Sequence, residues 1–221
     1  MESTLTGHVR RSIDAAEAGR SRMDEHAFAV PAMSGVKIRH LLNNLGSCYH
    51  LRHLEVGCHK GGTLVAANYG NQMLSSHAVD NWSGFAQEGV SRREFLRWTS
   101  ELLPRCRLTV CEQDFATLTQ IEVPDPIGFY FYDGDHSEAA SRAALTTLYP
   151  LLADEFVYCV DDWNWDGPKN GTVQAVAALG LVTEFLFVKA VAHPDTDWWN
   201  GFAVMVLRKP HTGPAWMEVA A

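Results

Sequence analysis

Five short acidic stretches, each directly after a β-rich run, are the residues whose types and spacing could do chemistry in this sequence. They are Glu55 with Gly57-Cys58-His59-Lys60-Gly61-Gly62, then Asp80-Asn81-Trp82, Glu112-Gln113-Asp114-Phe115, Asp133-Gly134-Asp135-His136 and Asp161-Asp162-Trp163-Asn164. A single Asp after a strand is ordinarily a turn former or a helix N-cap. Five acids on one rim are much harder to explain as turns. Carboxylates placed there can accept hydrogen bonds from ribose hydroxyls or an ammonium group, or hold a hard divalent cation. The glycines are spaced G-x-x-x-G-G, which lets backbone approach a ligand but is not the G-x-G-x-x-G of a nicotinamide site. Flanked by Glu55 and Asp80, this loop would repel a pyrophosphate. A cationic nucleoside suits it better than a dinucleotide.

The elements that must position these residues can be read from the pattern between them. Strands are expected at 52–56, 76–80, 106–111, 127–132, 156–160, 184–191 and 202–208, and helices at 62–70, 91–103, 137–152 and 171–179. Such alternation implies right-handed crossovers. The fold class is α/β, a doubly wound, mostly parallel seven-stranded sheet. IGFYFY and FVYCV are apolar throughout, as strands buried on both faces are. Only AHPDTDWWNG separates the last two runs, so an antiparallel closing pair is expected, with an antiparallel C-terminal strand. In an open sheet of this kind ligands bind outside the carboxyl ends of the strands, which is where the acids fall.

Residues 1–30 read as a helical arm. From Val36 onward Ile38, Leu41, Leu42 and Leu45 share one helical face, and Gly46 ends the helix. The opposite face carries Arg39, His40, Asn43 and Asn44. Two readings fit it, a solvated face and a polar wall of the site.

Composition excludes several function classes. The chain has 221 residues, 47% of them hydrophobic, and a net charge of −8. That is enough for one α/β domain with a real core. An acidic balance without a basic run speaks against nucleic acid and against anionic lipid. No apolar stretch is long enough to span a membrane, and MESTLTGHVRRSIDAAEAG lacks the apolar segment of a signal peptide, so a cytoplasmic protein is expected. Cys48, Cys58, Cys106, Cys111 and Cys159 form no CxxC pair and read as reduced thiols.

The set LEVGCHKGG (54–62), VDNWSGF (79–85), EQDF (112–115), YDGDHSEAA (132–140) and VDDWNW (160–165) resembles the class I S-adenosylmethionine-dependent methyltransferases. More narrowly, it is similar to the branch of metal-dependent O-methyltransferases that contains the macrocin and novobiocin types. The resemblance implies S-adenosyl-L-methionine as cofactor. It implies that Glu55, Gly57 and Gly61 shape the pocket for the methionine and ribose parts, that Asp80, with Asn81 beside it, takes the ribose hydroxyls, and that Asp114 and Phe115 lie against the adenine. Asp133 would border the cofactor and, with Asp161 and Asp162, ligate Mg²⁺ or another hard divalent cation. Asp133 precedes Asp161 by 28 positions, the spacing of metal-dependent enzymes of this kind. Asp135 matches the family's candidate general base, and His136 next to it is the alternative.

A bound divalent ion lowers the pKa of a coordinated oxygen, and a nearby carboxylate or imidazole can then take the proton. Trp82, Trp163 and Trp165 read either as apolar walls that exclude water or as core and rim packing. The expected activity is methyl transfer to a hydroxyl of a small molecule. Two alternatives stand beside it: a metal-independent methyltransferase with His136 as base, and a non-catalytic nucleotide-binding module. The expected division is an N-terminal arm or lid at 1–48, a catalytic domain at 49–210 and a tail at 211–221. Homodimerisation is a reasonable expectation.

Overall fold

The structure is a computed structural model that describes residues 3–84 and 89–210. The tail expected at 211–221 and residues 85–88 lie outside the described residues. Seven strands, β1 Arg52–Val56, β2 Ser75–Val79, β3 Leu108–Cys111, β4 Ile127–Tyr132, β5 Leu152–Asp161, β6 Val182–Lys189 and β7 Phe202–Arg208, form one sheet in the order β3-β2-β1-β4-β5-β7-β6. β1 pairs in parallel with β2 on one side and β4 on the other, and this is where the winding reverses. β7 runs antiparallel to both β5 and β6, the closing pair expected from the missing helix.

The helices are α1 Thr4–Glu17, α2 Glu25–Phe28, α3 Val36–Leu45, α4 Gly62–Asn68, α5 Val90–Leu102, α6 Glu138–Leu148 and α7 Asp166–Ala178. Two differ from expectation. The helix expected to run to 152 stops at Leu148, where Tyr149-Pro150-Leu151 tightens into a 3-10 turn and β5 begins early at Leu152. α7 starts five residues before the expected 171. Asp166-Gly167-Pro168 reads as a turn, but Pro168 sits in the first helical turn, where its missing N–H needs no partner.

Each face of the sheet carries its own core. Tyr130, Tyr132, Tyr158 and Val160 pack beneath α6 and α7 against Ala144, Leu145, Leu148 and Ala175. On the other face Phe129, Phe131, Val157, Cys159 and Phe202 meet Val9 and Ile13 of α1 and Ile38, Leu41, Leu42 and Leu45 of α3. Residues of the N-terminal arm therefore close one side of the core. All six residues of β4 are buried, as its unbroken apolar run implied.

The polar face of α3 is neither solvated nor part of the site. Arg39, His40 and Asn43 are buried. Arg39 donates to the carbonyls of Ala27 (2.6 Å) and Phe28 (3.1 Å), and His40 Nδ1 meets Ser21 Oγ at 2.8 Å. Asn43 donates to the carbonyl of Ala66 at 2.7 Å, and Asn44 to that of Arg20 at 2.8 Å. This face thus supplies donors to carbonyls between α1 and α3 (Arg20, Ala27, Phe28) and to Ala66 in α4. All five cysteines are unpaired. Among the described residues, no helix is long and apolar enough to cross a membrane.

Candidate active site

The chain leaves β1 through Gly57 at φ +89°, packed so closely on the backbone carbonyl of Asp133 that a Cβ there would overlap it. Gly62 opens α4 under Pro31 and Ala32, and a Cβ on it would strike both. The loop between is pinned by Asp80. Its Oδ2 accepts from the His59 amide at 2.8 Å and its Oδ1 from the Trp82 amide at 2.6 Å. The Trp82 indole N–H donates back to the His59 carbonyl at 2.8 Å, and its ring stands edge-on to Phe95. Beneath the loop, Glu55 is completely buried and its Oε1 accepts from Thr63 Oγ1 at 2.8 Å. Burial pushes the Glu55 carboxyl well above the usual range, and the charges of Asp133 and Asp80 push the same way against the Thr63 hydrogen bond. Pro31, Ala32 and Met33 overhang Gly57–Thr63 and Asp133, leaving a cavity of about 20 Å³.

The other half of the rim lies at the ends of β4 and β5. His136 Nε2 is 2.9 Å from Asp162 Oδ2 and 3.7 Å from Asp133 Oδ1. Asp162 takes a left-handed backbone conformation, φ +53°, with its amide donating to Asp161 Oδ1 at 2.9 Å. Asn200 Nδ2 donates to Asp162 Oδ1 at 2.7 Å and so leaves Oδ2 turned to His136. The carboxylates of Asp133 and Asp162 raise His136 to about 10 against the effect of burial. Burial raises Asp133 to about 6, opposed by the neighbouring His136 ring and reinforced by the charge of Asp162. The Trp165 ring stands edge-on to His136, with centroids 4.8 Å apart.

The expected residues are thus distributed unevenly. One ligand atom each from Asp133, His136 and Asp162 lie within 4.8 Å of one another, a group able to hold a metal ion. Asp161, expected as the third ligand, is buried beside this group. One of its oxygens caps the Asp162 amide and the other has no partner. Asp135 is exposed, and its Oδ1 accepts from the Ser137 amide at 2.8 Å; the Ser137 side chain and then this amide hold its carboxyl below the usual range. Asp114 is exposed and caps the 3-10 turn Phe115–Thr117, while Phe115 stands edge-on to Tyr132 at 6.0 Å. Asn81 accepts from Ser83 in its own turn. Of the three tryptophans, Trp163 packs in the core, Trp165 is 45% exposed at His136, and Trp82 braces the glycine loop.

Sequence reading missed Asn200, Thr63 and the overhang of Pro31–Met33. Asn200 had a legible signal. Parallel strands offer the residues that follow them to the rim, but antiparallel β7 offers those that precede it, here Asn200-Gly201.

Comparison with known proteins bears on the domain and its fold. Residues 54–163 match the family model of a methyltransferase domain. No curated protein matches the chain. Among solved structures it is similar to an O-methyltransferase from Bacillus cereus in complex with SAH, at 15% identity and TM-score 0.58, covering 91% of each chain. It is also similar to magnesium protoporphyrin IX methyltransferase from Synechocystis with bound SAM, at 10% identity and TM-score 0.55, covering 95% of this chain and 86% of that one. A putative O-methyltransferase from Klebsiella pneumoniae matches at 13% identity and TM-score 0.51, covering 94% and 91%. At these identities the likeness is one of fold.

Proposed function

Because the chain belongs to the methyltransferase family whose domain it carries, we propose that it moves the methyl group of S-adenosyl-L-methionine to a hydroxyl of a small molecule. The acceptor class is a sugar, phenol or other natural product, and a divalent cation assists. One observation carries this reading. Asp133 belongs to both halves of the rim, its backbone carbonyl against Gly57 and its carboxylate facing His136 and Asp162.

The residues fit both groups. The close approach at Gly57 and Gly62 leaves bare backbone for a nucleoside, and the carboxylates of Glu55 and Asp80 suit an ammonium or ribose hydroxyls. Asp133, His136 and Asp162 would hold the cation. Two carboxylates and an imidazole suit Mn²⁺ or a later first-row ion as well as Mg²⁺. When bound, the cofactor supplies a methyl on cationic sulfur, and the cation lowers the proton affinity of an oxygen on it. The protein's own contribution is orientation and proton handling. Trp165 offers an apolar shelf beside His136, and Trp82 and the Pro31–Met33 segment restrict water on the cofactor side.

Two groups that exchange protons stand at the mouth. Asp135 is open to solvent but weakened as a base by its bond to Ser137. His136 is held by two carboxylates, and the 2.9 Å contact with Asp162 favours a second reading in which this pair works without a metal.

Titration calorimetry separates these readings. S-adenosylhomocysteine should bind and NAD should not; no binding of S-adenosylhomocysteine at millimolar concentration contradicts the cofactor assignment. Mn²⁺ should bind the wild type, and Asp162→Asn should abolish that binding while keeping S-adenosylhomocysteine. Cofactor binding with no Mn²⁺ or Mg²⁺ binding leaves the metal-free His136 reading standing.

A further inference from the structure

Beneath the glycine loop two buried polar atoms face each other without partners. Glu55 Oε2 and His53 Nε2 are 4.0 Å apart on side chains fully closed to solvent, and neither makes a hydrogen bond. Both project from the same face of β1. On its other side His53 Nδ1 meets Ser76 Oγ at 2.9 Å, and the Asn68 amide donates to the same hydroxyl at 3.2 Å. Asn68 Nδ2 is also 3.5 Å from Nδ1; with Ser76 Oγ as acceptor, the ring donates through Nδ1 and keeps a lone pair on Nε2. Such a ring can accept a proton from the Glu55 side and lose no bond. Phe129 lies against it at 4.6 Å. Glu55 is tied to the ligand side through Thr63, which lines the cavity over the loop.

Burial favours the neutral form of both groups. It lowers His53 to about 3, with His77 adding to the effect, and it raises Glu55. The other titratable groups around the pair are Cys58 after β1, His77 and Asp80 on and after β2, Asp133 after β4, and Cys106 beyond Asn68. From α4 the uncharged Thr63 and Asn68 side chains and the Leu64 backbone approach.

Resting on the cofactor reading above, we propose that arrival of the cofactor's ammonium group moves the Glu55 proton to His53 Nε2, making His53 a positioning residue that acts through Glu55. The Oε2–H bond breaks and the Nε2–H bond forms. The carboxylate left behind has the ligand's cation on one side and the imidazolium on the other, and no proton leaves the protein. A buried carboxylate compensated on both sides costs less than one compensated on a single side.

Calorimetry of S-adenosylhomocysteine binding in buffers of different ionisation enthalpy counts the protons exchanged. With His53→Gln, Glu55 has nowhere inside the protein to send its proton, so binding should release about one proton more than in the wild type and weaken roughly 10-fold. The double variant His53→Gln with Glu55→Gln should return to the wild-type count. Equal counts in the wild type and His53→Gln overturn the proposal. Should His53→Gln not fold, nitrogen NMR of the wild-type His53 ring decides. Nε2 should change from bare to protonated on saturation, and an unprotonated Nε2 in both states overturns the proposal. No binding of S-adenosylhomocysteine to the wild type removes the cofactor reading and this one with it, whereas binding without the proton shift removes only this one.

Discussion

The two halves of the rim use acids in opposite ways. At the ends of β1 and β2 the carboxylates are occupied: Asp80 by two backbone amides and Glu55 by a hydroxyl. At the ends of β4 and β5 the carboxylates of Asp133 and Asp162 face one another across His136. The first arrangement stabilises a loop conformation. The second gathers like charge, which is favourable only with a cation between, and the His136 ring is that cation in the protein alone. Acidic residues of equal appearance in the sequence therefore build a shape in one place and a charge in the other.

This contrast can be broken from either side. The largest effect is expected from Gly57→Ala, which combines a left-handed backbone with overlap on the Asp133 carbonyl. Backbone strain alone costs about 1–3 kcal/mol, so thermal unfolding should move down by several degrees and S-adenosylhomocysteine binding should vanish. At the other half, Asn200→Ala frees Asp162 Oδ1. Supporting residues of metal ligands typically matter about 10–100-fold in affinity, and calorimetry with Mn²⁺ should show a loss of that order while cofactor affinity holds.

A smaller effect concerns pH. The folded His136 sits at about 10 against an ordinary 6.5. In metal-free protein its stabilising contribution should be complete below about pH 6.5 and fade as pH rises towards about 10. Asp133, raised to about 6, works in the same direction at lower pH, its contribution falling as pH climbs from the ordinary carboxylate range through 6. Thermal unfolding against pH for His136→Asn should lack the alkaline decline. The smallest effect lies over the loop. Pro31–Met33 overhang the cavity of about 20 Å³, and hydrogen exchange of residues 29–35 should change on binding S-adenosylhomocysteine.

The alternation of β-rich and helical runs made the sheet legible, because strands such as IGFYFY carry the same apolar signature inside and outside a structure. It also brought Asp133 and Asp162 to one place. Three things were hidden. Asp161 and Asp162 are adjacent, and only the left-handed turn at Asp162 decides which one faces His136. Asn200 enters from an antiparallel strand, against the direction in which the other strands were followed. The polar face of α3 is periodic like a solvated surface, yet its partners are carbonyls in chain far away in sequence.

The most direct test of the whole arrangement is a crystal structure with S-adenosylhomocysteine and Mn²⁺, read by anomalous scattering. We expect the ligand against Gly57–Gly62 and one metal peak bound by Asp133, His136 and Asp162. A ligand in that place with no peak among those three side chains, or a ligand bound elsewhere, contradicts the account.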